Sequence, residues 1–262
     1  MYLDDNFFFS QYSLNIFRRC PVRFKKRYIE GLYWRGVQPN GTNLERGRHF
    51  HILADRYFSN IPLNMKFFEE YGTLNDWMDA LKEYIPKTGK GKYYPEYSIR
   101  IDDGDMKLQA KYDLVYVDLD GNITIYDWKT EEYPLSYKVL ATSMQTIVYR
   151  YVMAVGGSRL KGAAIAPEDI TMIYWQPKFP DRPIELFYNR RQFEKDREFL
   201  KSLIGMIQDF DYESYDKSRS AKYCQSCEFN YFCNTDKVEY NSIFSEEEIE
   251  LDDWDDIEDI YF

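Results

Sequence analysis

The fold of this 262-residue chain is decided by one stretch, LQAKYDLVYVDLDGNITIYDWK at residues 108–129. Two runs, residues 107–118 and 122–128, are rich in Val, Ile, Tyr and Thr, which favour strands. An Asp-Gly turn signal separates them, as is typical of a β-hairpin. The stretch therefore predicts two antiparallel strands.

The length of the turn decides which side chains meet across this hairpin. Side chains alternate along a strand, so Asp127 and Lys129 point the same way. A two-residue loop would set Asp113 opposite Trp128 and send its carboxylate to the other face. A three-residue loop, with Gly121 in the left-handed conformation, instead sets Asp113 opposite Asp127. We predict this second register, which places two acids and a base on one face.

Such a cluster has a chemical use. Two desolvated carboxylates repel each other unless a positive charge lies between them. A divalent cation with oxygen ligands would supply that charge, and a nearby lysine can hold or deprotonate a metal-bound water. The alternative is an acid that merely flanks the turn, next to an ordinary Asp-x-Lys ion pair. For an Asp-x-Lys motif that occurs by itself, this structural explanation is the more common one.

The rest of the chain predicts a mixed sheet flanked by helices, an α/β fold. Helical spacing occurs on both sides of Pro21, and a Thr-Asn-Leu-Glu capping box starts a further helix. The expected later helices cover residues 42–57, 65–85, 136–155 and 190–210. The expected strands outside the hairpin cover residues 93–101, 169–176 and 184–188.

Several polar residues on these elements are candidates for a site. Gly47 and His51 are four residues apart and share a helix face. A lone helical histidine is more often a structural or surface residue than a ligand. Glu96 lies in the first expected strand, where acids are common. Gln145 and Tyr149 also share a helix face, although core packing would explain Tyr149 equally well.

Charge and composition leave nucleic-acid binding open. The chain has 44 acidic and 34 basic residues, a net charge of -10, but ten acids and no base lie in residues 245–262. The remaining body is neutral and can carry a basic face. Six bases lie between residues 18 and 27, where a solvated helix face is the usual explanation. The 25 Tyr and 18 Phe supply buried area or faces on which bases stack.

The four cysteines form a further pattern, with Cys20 alone and C-x2-C-x5-C at Cys224, Cys227 and Cys233. The sequence has no basic leader and no apolar run long enough to span a bilayer, so we expect a cytoplasmic protein, or one of the host cytoplasm if phage-encoded. In that compartment such cysteines more often ligate a metal than form disulfides. Ligand softness alone leaves both zinc and an iron-sulfur cluster open.

The order of these motifs resembles the PD-(D/E)XK nuclease superfamily, and in detail its RecB-like branch. The shared features are an acid, a hairpin and IYDWKT, preceded by G-x-x-x-H and followed by Q-x-x-x-Y. Two departures are Ala110 and Glu131, where that branch often has glycine. The resemblance implies an α/β fold with a restriction-endonuclease-like core.

The resemblance also implies roles for individual residues. The implied metal ligands are His51, Asp113, Asp127 and the backbone carbonyl of Trp128, with Mg or Mn as the ion. The implied catalytic residues are Lys129, Asp113, Asp127 and Glu96. The implied DNA contacts are Gln145 and Tyr149. Next to a nuclease site, the basic run also becomes a candidate phosphate-contacting patch, made of Arg18, Arg19, Arg23, Lys25, Lys26 and Arg27.

The cysteine arrangement resembles that of CRISPR-associated RecB-like exonucleases and of AddAB-type nuclease domains. It implies a 4Fe-4S cluster, with zinc as the alternative. The cluster would join the N-terminal helices to the C-terminal segment and so close the domain.

We therefore expect a metal-dependent DNA nuclease, an exonuclease acting on DNA ends or single-stranded DNA in recombination, repair, or phage or CRISPR DNA processing. The alternatives are a catalytically silent DNA-binding or assembly subunit with the same fold, and a zinc-binding nucleic-acid-binding module. Residues 1–244 are expected to form one nuclease domain, and residues 245–262 a disordered acidic tail. The tail resembles the C-terminal tips of single-stranded-DNA-binding proteins, which dock onto protein partners.

Overall fold

A computed structural model describes residues 3–32, 42–63 and 72–234. Its centre is a five-stranded mixed sheet in the order β1-β2-β3-β4-β5. Neighbouring strands are antiparallel except β3 and β4, which are parallel. The strands are β1 Gly91–Asp103, β2 Met106–Asp118, β3 Ile123–Trp128, β4 Ile170–Trp175 and β5 Ile184–Phe187. The predicted mixed sheet is confirmed.

The β2–β3 hairpin has the predicted register. Val117 pairs with Ile123 and Leu114 with Tyr126, so the next position along sets Asp113 opposite Asp127. Gly121 closes the three-residue loop at φ +84°, a conformation that favours glycine. The turn is stabilised by the Asp118 carboxylate, which accepts hydrogen bonds from the backbone N–H groups of residues 120 and 122.

Helices cover both faces of the sheet. They are α1 Gln11–Arg19, α2 Pro21–Phe24, α3 Thr42–Phe58, α4 Gly72–Tyr84, α5 Tyr137–Ala141, α6 Met144–Gly156, α7 Ser158–Lys161, α8 Arg190–Gln208 and α9 Asn230–Asn234. A π-helical turn, Lys25–Ile29, follows α2, and two short 3-10 turns are Pro167–Asp169 and Lys217–Tyr223. No helix within the described ranges is long and apolar enough to cross a bilayer.

Each helical layer has its own apolar cluster. On one face, α1, α6 and α8 pack on the sheet around side chains such as Leu14, Val148 and Leu200. On the other face, α3 and α4 pack around two strand tryptophans, Trp128 and Trp175. The sheet is therefore buried on both sides. Polar side chains on β3 and its neighbouring strands are enclosed by the helices.

The predicted helix at residues 136–155 is wrong in one respect, since the structure divides it into α5 and α6. The break lies at Ser143, whose hydroxyl accepts a hydrogen bond from the Thr146 N–H at 3.0 Å and caps α6. Thr146 Oγ1 in turn donates to the carbonyl of Leu140 at 2.7 Å. Because α6 starts anew at this cap, Gln145 lies in its first turn.

Two further predictions fall partly outside the described ranges. The helix expected at residues 65–85 is present as α4, whereas residues 64–71 are not described. The helix expected from the capping box begins at Thr42, as predicted, but the side chains of residues 42–44 are not described. The acidic tail at residues 245–262 also lies outside the described ranges.

Candidate active site

The end of β3 carries a buried ion pair. Asp127 and Lys129 are 3% and 4% exposed, and Lys129 Nζ lies 3.0 Å from Asp127 Oδ1. The second carboxylate oxygen of Asp127 accepts a hydrogen bond of 2.8 Å from Gln145 Nε2, in the first turn of α6. Strand alternation thus sets Asp127 beside Lys129, as predicted, and the cap of α6 brings Gln145 to the same pair.

Asp113 faces this pair from β2 and is held on two sides. Its Oδ1 lies 3.1 Å from His51 Nδ1 on α3, and its Oδ2 accepts a hydrogen bond of 2.7 Å from the Trp128 N–H. Burial alone would raise the pKa of Asp113, but His51 and the Trp128 N–H together bring that pKa below its ordinary value. The carboxylate is therefore kept ionised, as a metal ligand must be.

Glu96 completes this side of the site from β1. Its neighbours Pro95 and Tyr97 pair with Leu114 and Tyr112, so Glu96 lies across from Asp113. Its φ is +48°, which is uncommon for a non-glycine residue and costs energy that the surroundings must offset.

His51, Glu96 and Asp113 offer ligand atoms that all lie within 4.8 Å of one another. Within the described part of the chain, no other group of three or more His, Cys, Asp or Glu side chains meets that criterion. The two carboxylates suit Mg or Mn, which prefer hard oxygen ligands, and the imidazole nitrogen is a ligand that transition metals accept. The residues present therefore fit a divalent cation.

Asp127 lies just outside this trio and has unusual electrostatics. Burial is the main cause that raises the pKa of its carboxyl to about 7; the positive charge of Lys129 opposes this rise and the negative charge of Asp113 adds to it. A cation bound between the two carboxylates would relieve that repulsion. The pair of acids therefore also fits a divalent ion.

Gly47 explains how α3 comes close enough for His51 to reach Asp113. A Cβ at residue 47 would lie 2.7 Å from Thr130 Oγ1, immediately after Lys129. Glycine thus permits a close approach between α3 and the end of β3. The G-x-x-x-H spacing then places the histidine one helical turn further along.

Tyr149 lies in the core beneath the site. Its ring packs edge-on against Tyr112 at 4.9 Å between centroids, and the Tyr112 hydroxyl donates to the Tyr149 carbonyl at 3.0 Å. Tyr149 is 8% exposed. Its predicted contact with DNA stays a prediction, while Gln145 contacts a site residue directly.

The basic run at residues 18–27 is largely engaged inside the protein. Arg23 and Arg27 both pair with Glu228, at 2.7 and 3.2 Å. Arg19 is 4% exposed, and its guanidinium lies 5.6 Å from the Tyr223 ring centroid. Lys25 pairs with Glu213 and Glu30, and Lys26 lies near Glu30. The pairs with Glu213 and Glu228 join the N-terminal helices to the C-terminal segment. The predicted DNA contacts of all six basic residues, including half-buried Arg18, stay a prediction.

The four cysteines converge on the same junction. Cys20 lies between α1 and α2, and burial together with the nearby Cys20 and Cys224 thiols raises the pKa of Cys233. Burial likewise raises the pKa of Cys227 to about 12. All four are free thiols. Ser220 Oγ donates to the Arg19 carbonyl at 2.9 Å and joins the two segments directly.

Sequence reasoning missed two contributions to the site. Lys111 on β2 pairs with Glu96 across the β1–β2 ladder, and its alternation with Asp113 was the available signal. The Ser-x-x-Thr pattern at Ser143 was the signal for the cap that positions Gln145.

The mixed sheet carries an acid on one strand and an Asp-x-Lys motif at the end of the next, and a helical histidine lies beside them. This arrangement is typical of a class of metal-dependent nucleases. The chain belongs to the PD-(D/E)XK nuclease superfamily, whose family model matches residues 9–234.

Two solved structures have a similar overall arrangement. The protein SSO0001 has a TM-score of 0.39 and 15% identity, covering 90% of both chains. A candidate exonuclease from Eubacterium rectale has a TM-score of 0.49 and 11% identity, covering 88% of this chain and 89% of the other. These values are too low to support a conclusion about activity. No curated protein matches the chain.

Proposed function

We propose that this protein is a Mg- or Mn-dependent deoxyribonuclease of the RecB-like branch, acting as an exonuclease on DNA ends or single-stranded DNA. The observation that carries the proposal is the His51, Glu96 and Asp113 cluster beside the buried Asp127–Lys129 pair. The three candidate ligands, the Asp127 carboxylate and the Lys129 ammonium then lie close together. Metal-assisted phosphodiester hydrolysis uses such a set of groups to hold the ion and to position its water.

The metal ligands in this proposal are His51, Asp113, Asp127 and the Trp128 carbonyl, to which we add Glu96. When bound, the ion polarises the scissile phosphate and lowers the pKa of a water. Lys129 orients that water or stabilises the charge that develops on the phosphate. Gln145 fixes the Asp127 carboxylate through its hydrogen bond, and the Trp128 N–H fixes that of Asp113.

The cysteines belong to a separate, structural part of the proposal. Cys20, Cys224, Cys227 and Cys233 would hold a 4Fe-4S cluster that joins both ends of the domain. One remote cysteine and a compact C-x2-C-x5-C trio resemble the iron-sulfur arrangement of the related nucleases, which supports the cluster over zinc. Protein purified without oxygen should contain about four iron atoms per chain and absorb visible light. Stoichiometric zinc without iron would contradict this assignment.

The proposal is tested by cleavage of end-labelled single- and double-stranded DNA in Mg or Mn. Lys129→Ala should reduce the rate by orders of magnitude, as the loss of a central catalytic residue does. Lys82→Ala on α4, whose side chain is 40% exposed, is the matched control and should cleave normally. Circular dichroism verifies that both variants are folded.

The outcomes separate the possible functions. Cleavage by Lys129→Ala at the wild-type rate would contradict the role of the lysine. Binding of DNA by wild-type protein without cleavage in either metal would instead favour a catalytically silent subunit.

A further inference from the structure

The segment between β3 and α5, residues 131–137, is a loop that ends in the first residue of α5, and it is held in place by one buried side chain. Gln176, which follows β4, is 3% exposed. Its Nε2 donates to the carbonyls of Tyr133 and Glu131 at 3.0 and 3.5 Å, and its Oε1 accepts from the Leu135 N–H at 3.0 Å. Three backbone groups of the loop are thus fixed by one amide.

A second contact attaches the same loop to the same segment. Lys178, two residues after Gln176, pairs with Glu132, and its ammonium lies 5.5 Å from the centroid of the Trp77 ring on α4. The loop is therefore joined to the protein on both sides of Glu132. Such anchoring lowers the entropy that a ligand would otherwise have to remove on binding.

This anchored loop presents two tyrosines to solvent. Tyr133 is 81% exposed and Tyr137 is 60% exposed, whereas Tyr112, Tyr151 and Tyr174 are fully buried. Burial in the core therefore does not explain these two. Tyr133 lies four residues from Lys129, so their Cα atoms are at most about 14 Å apart. That distance corresponds to about four nucleotides at the stacked rise of one strand.

We propose that Tyr133 and Tyr137 form a surface that stacks on the unpaired bases of a bound DNA strand, an inference that rests on the proposed nuclease function. Tyrosine faces bind bases without regard to sequence, because every base has a π face. In a duplex those faces are covered by neighbouring base pairs, so the two tyrosines favour an unpaired strand. Lys138, exposed beside Tyr137, adds a positive charge for the backbone.

The test is binding of fluorescent oligonucleotides in EDTA, so that no strand is cut. Each of Tyr133→Ala and Tyr137→Ala should weaken binding to an oligothymidylate by about 5-fold or more, the range found when a stacking aromatic is removed. Binding to a blunt hairpin duplex should be unchanged. Phe187→Ala, which removes a 72% exposed ring on β5, is the matched control and should bind both DNAs normally.

A second experiment removes the bases from the DNA instead of the tyrosines from the protein. An oligonucleotide of abasic sites should bind wild-type protein more weakly than the thymidylate does, and the double variant should show a smaller difference between the two. Tyr133→Phe should retain binding, because the ring is kept. The salt dependence should be the same in all variants, since stacking neutralises no phosphate.

Equal binding of the single strand by wild type and both alanine variants would overturn the inference, as would equal weakening on single strand and duplex. Equal weakening on both DNAs is what a general DNA contact would give, whereas unchanged binding is what a surface that serves a protein partner would give. Because the assay needs neither metal nor cleavage, its failure leaves the proposed nuclease function standing. Tyrosine-dependent binding by a protein that never cleaves would instead overturn the nuclease function alone.

Discussion

Replacing Gly47 by alanine is expected to separate α3 from the end of β3. The new Cβ would lie 2.7 Å from Thr130 Oγ1 but 3.7 Å from Thr130 Cβ, so the clash involves one atom of one side chain. His51 lies one turn further along α3 and contacts Asp113 at 3.1 Å. Any shift of α3 therefore moves a proposed metal ligand.

Two opposing contributions set the change in stability. Alanine is favoured over glycine inside a helix by about 1 kcal/mol, whereas overpacking costs about 1–3 kcal/mol. Gly47→Ala alone should thus destabilise by up to about 2 kcal/mol. In a Thr130→Ala background, which lacks Oγ1, the same change should stabilise by about 1 kcal/mol. Cleavage should fall by up to about 100-fold, because small displacements of catalytic groups are costly.

The assay is urea unfolding of wild type, both single variants and the double variant, beside single-turnover cleavage in Mn. Gly205→Ala on α8, where a new Cβ would meet nothing within 4 Å, is the control. It should stabilise by about 1 kcal/mol and cleave normally. The reasoning is refuted if Gly47→Ala is stabilised as much as Gly205→Ala and cleaves at the wild-type rate.

Three further predictions concern charge and metal. Glu228→Gln leaves Arg23 without its buried partner and should lower the free energy of unfolding by about 3–5 kcal/mol, measured in urea; no change would show that the ion pair is unimportant. Mn binding should tighten as pH rises toward 7, because the pKa of Asp127 is raised to about 7 by burial and its proton competes with the ion. Titration calorimetry from pH 5.5 to 8 checks this, and an affinity independent of pH would contradict it. Cys227→Ser should lower both iron content and thermal stability, since binding free energy of a structural metal is folding free energy; unchanged melting would count against a structural cluster.

The hairpin could be predicted from sequence because its determinants are local. Alternation fixes the faces of Asp127 and Lys129, and the three-residue turn ending in Gly121 fixes the register. The G-x-x-x-H spacing predicts only that Gly47 and His51 share a helix face, and the role of His51 beside Asp113 came from the family resemblance. The close approach at Gly47 required the structure, since Thr130 is distant in sequence.

Other features depend on contacts between distant residues. Glu228 is about 200 residues from Arg23 and Arg27, and nothing near the basic run indicates that it neutralises them. The left-handed backbone at Glu96 is a tertiary distortion that strand propensity does not predict. The break before α6 was missed because helical periodicity continues across Ser143, although its cap was visible in the sequence.

The most direct test of the central claim is an anomalous difference map from crystals soaked in Mn, for wild type and for Asp113→Asn. The account predicts one strong peak in the wild type between the His51, Glu96 and Asp113 side chains and the Asp127 carboxylate, at bond lengths of about 2.0–2.4 Å. The peak should be lost or much weaker in Asp113→Asn. A manganese ion bound elsewhere, with this position empty, would contradict the account.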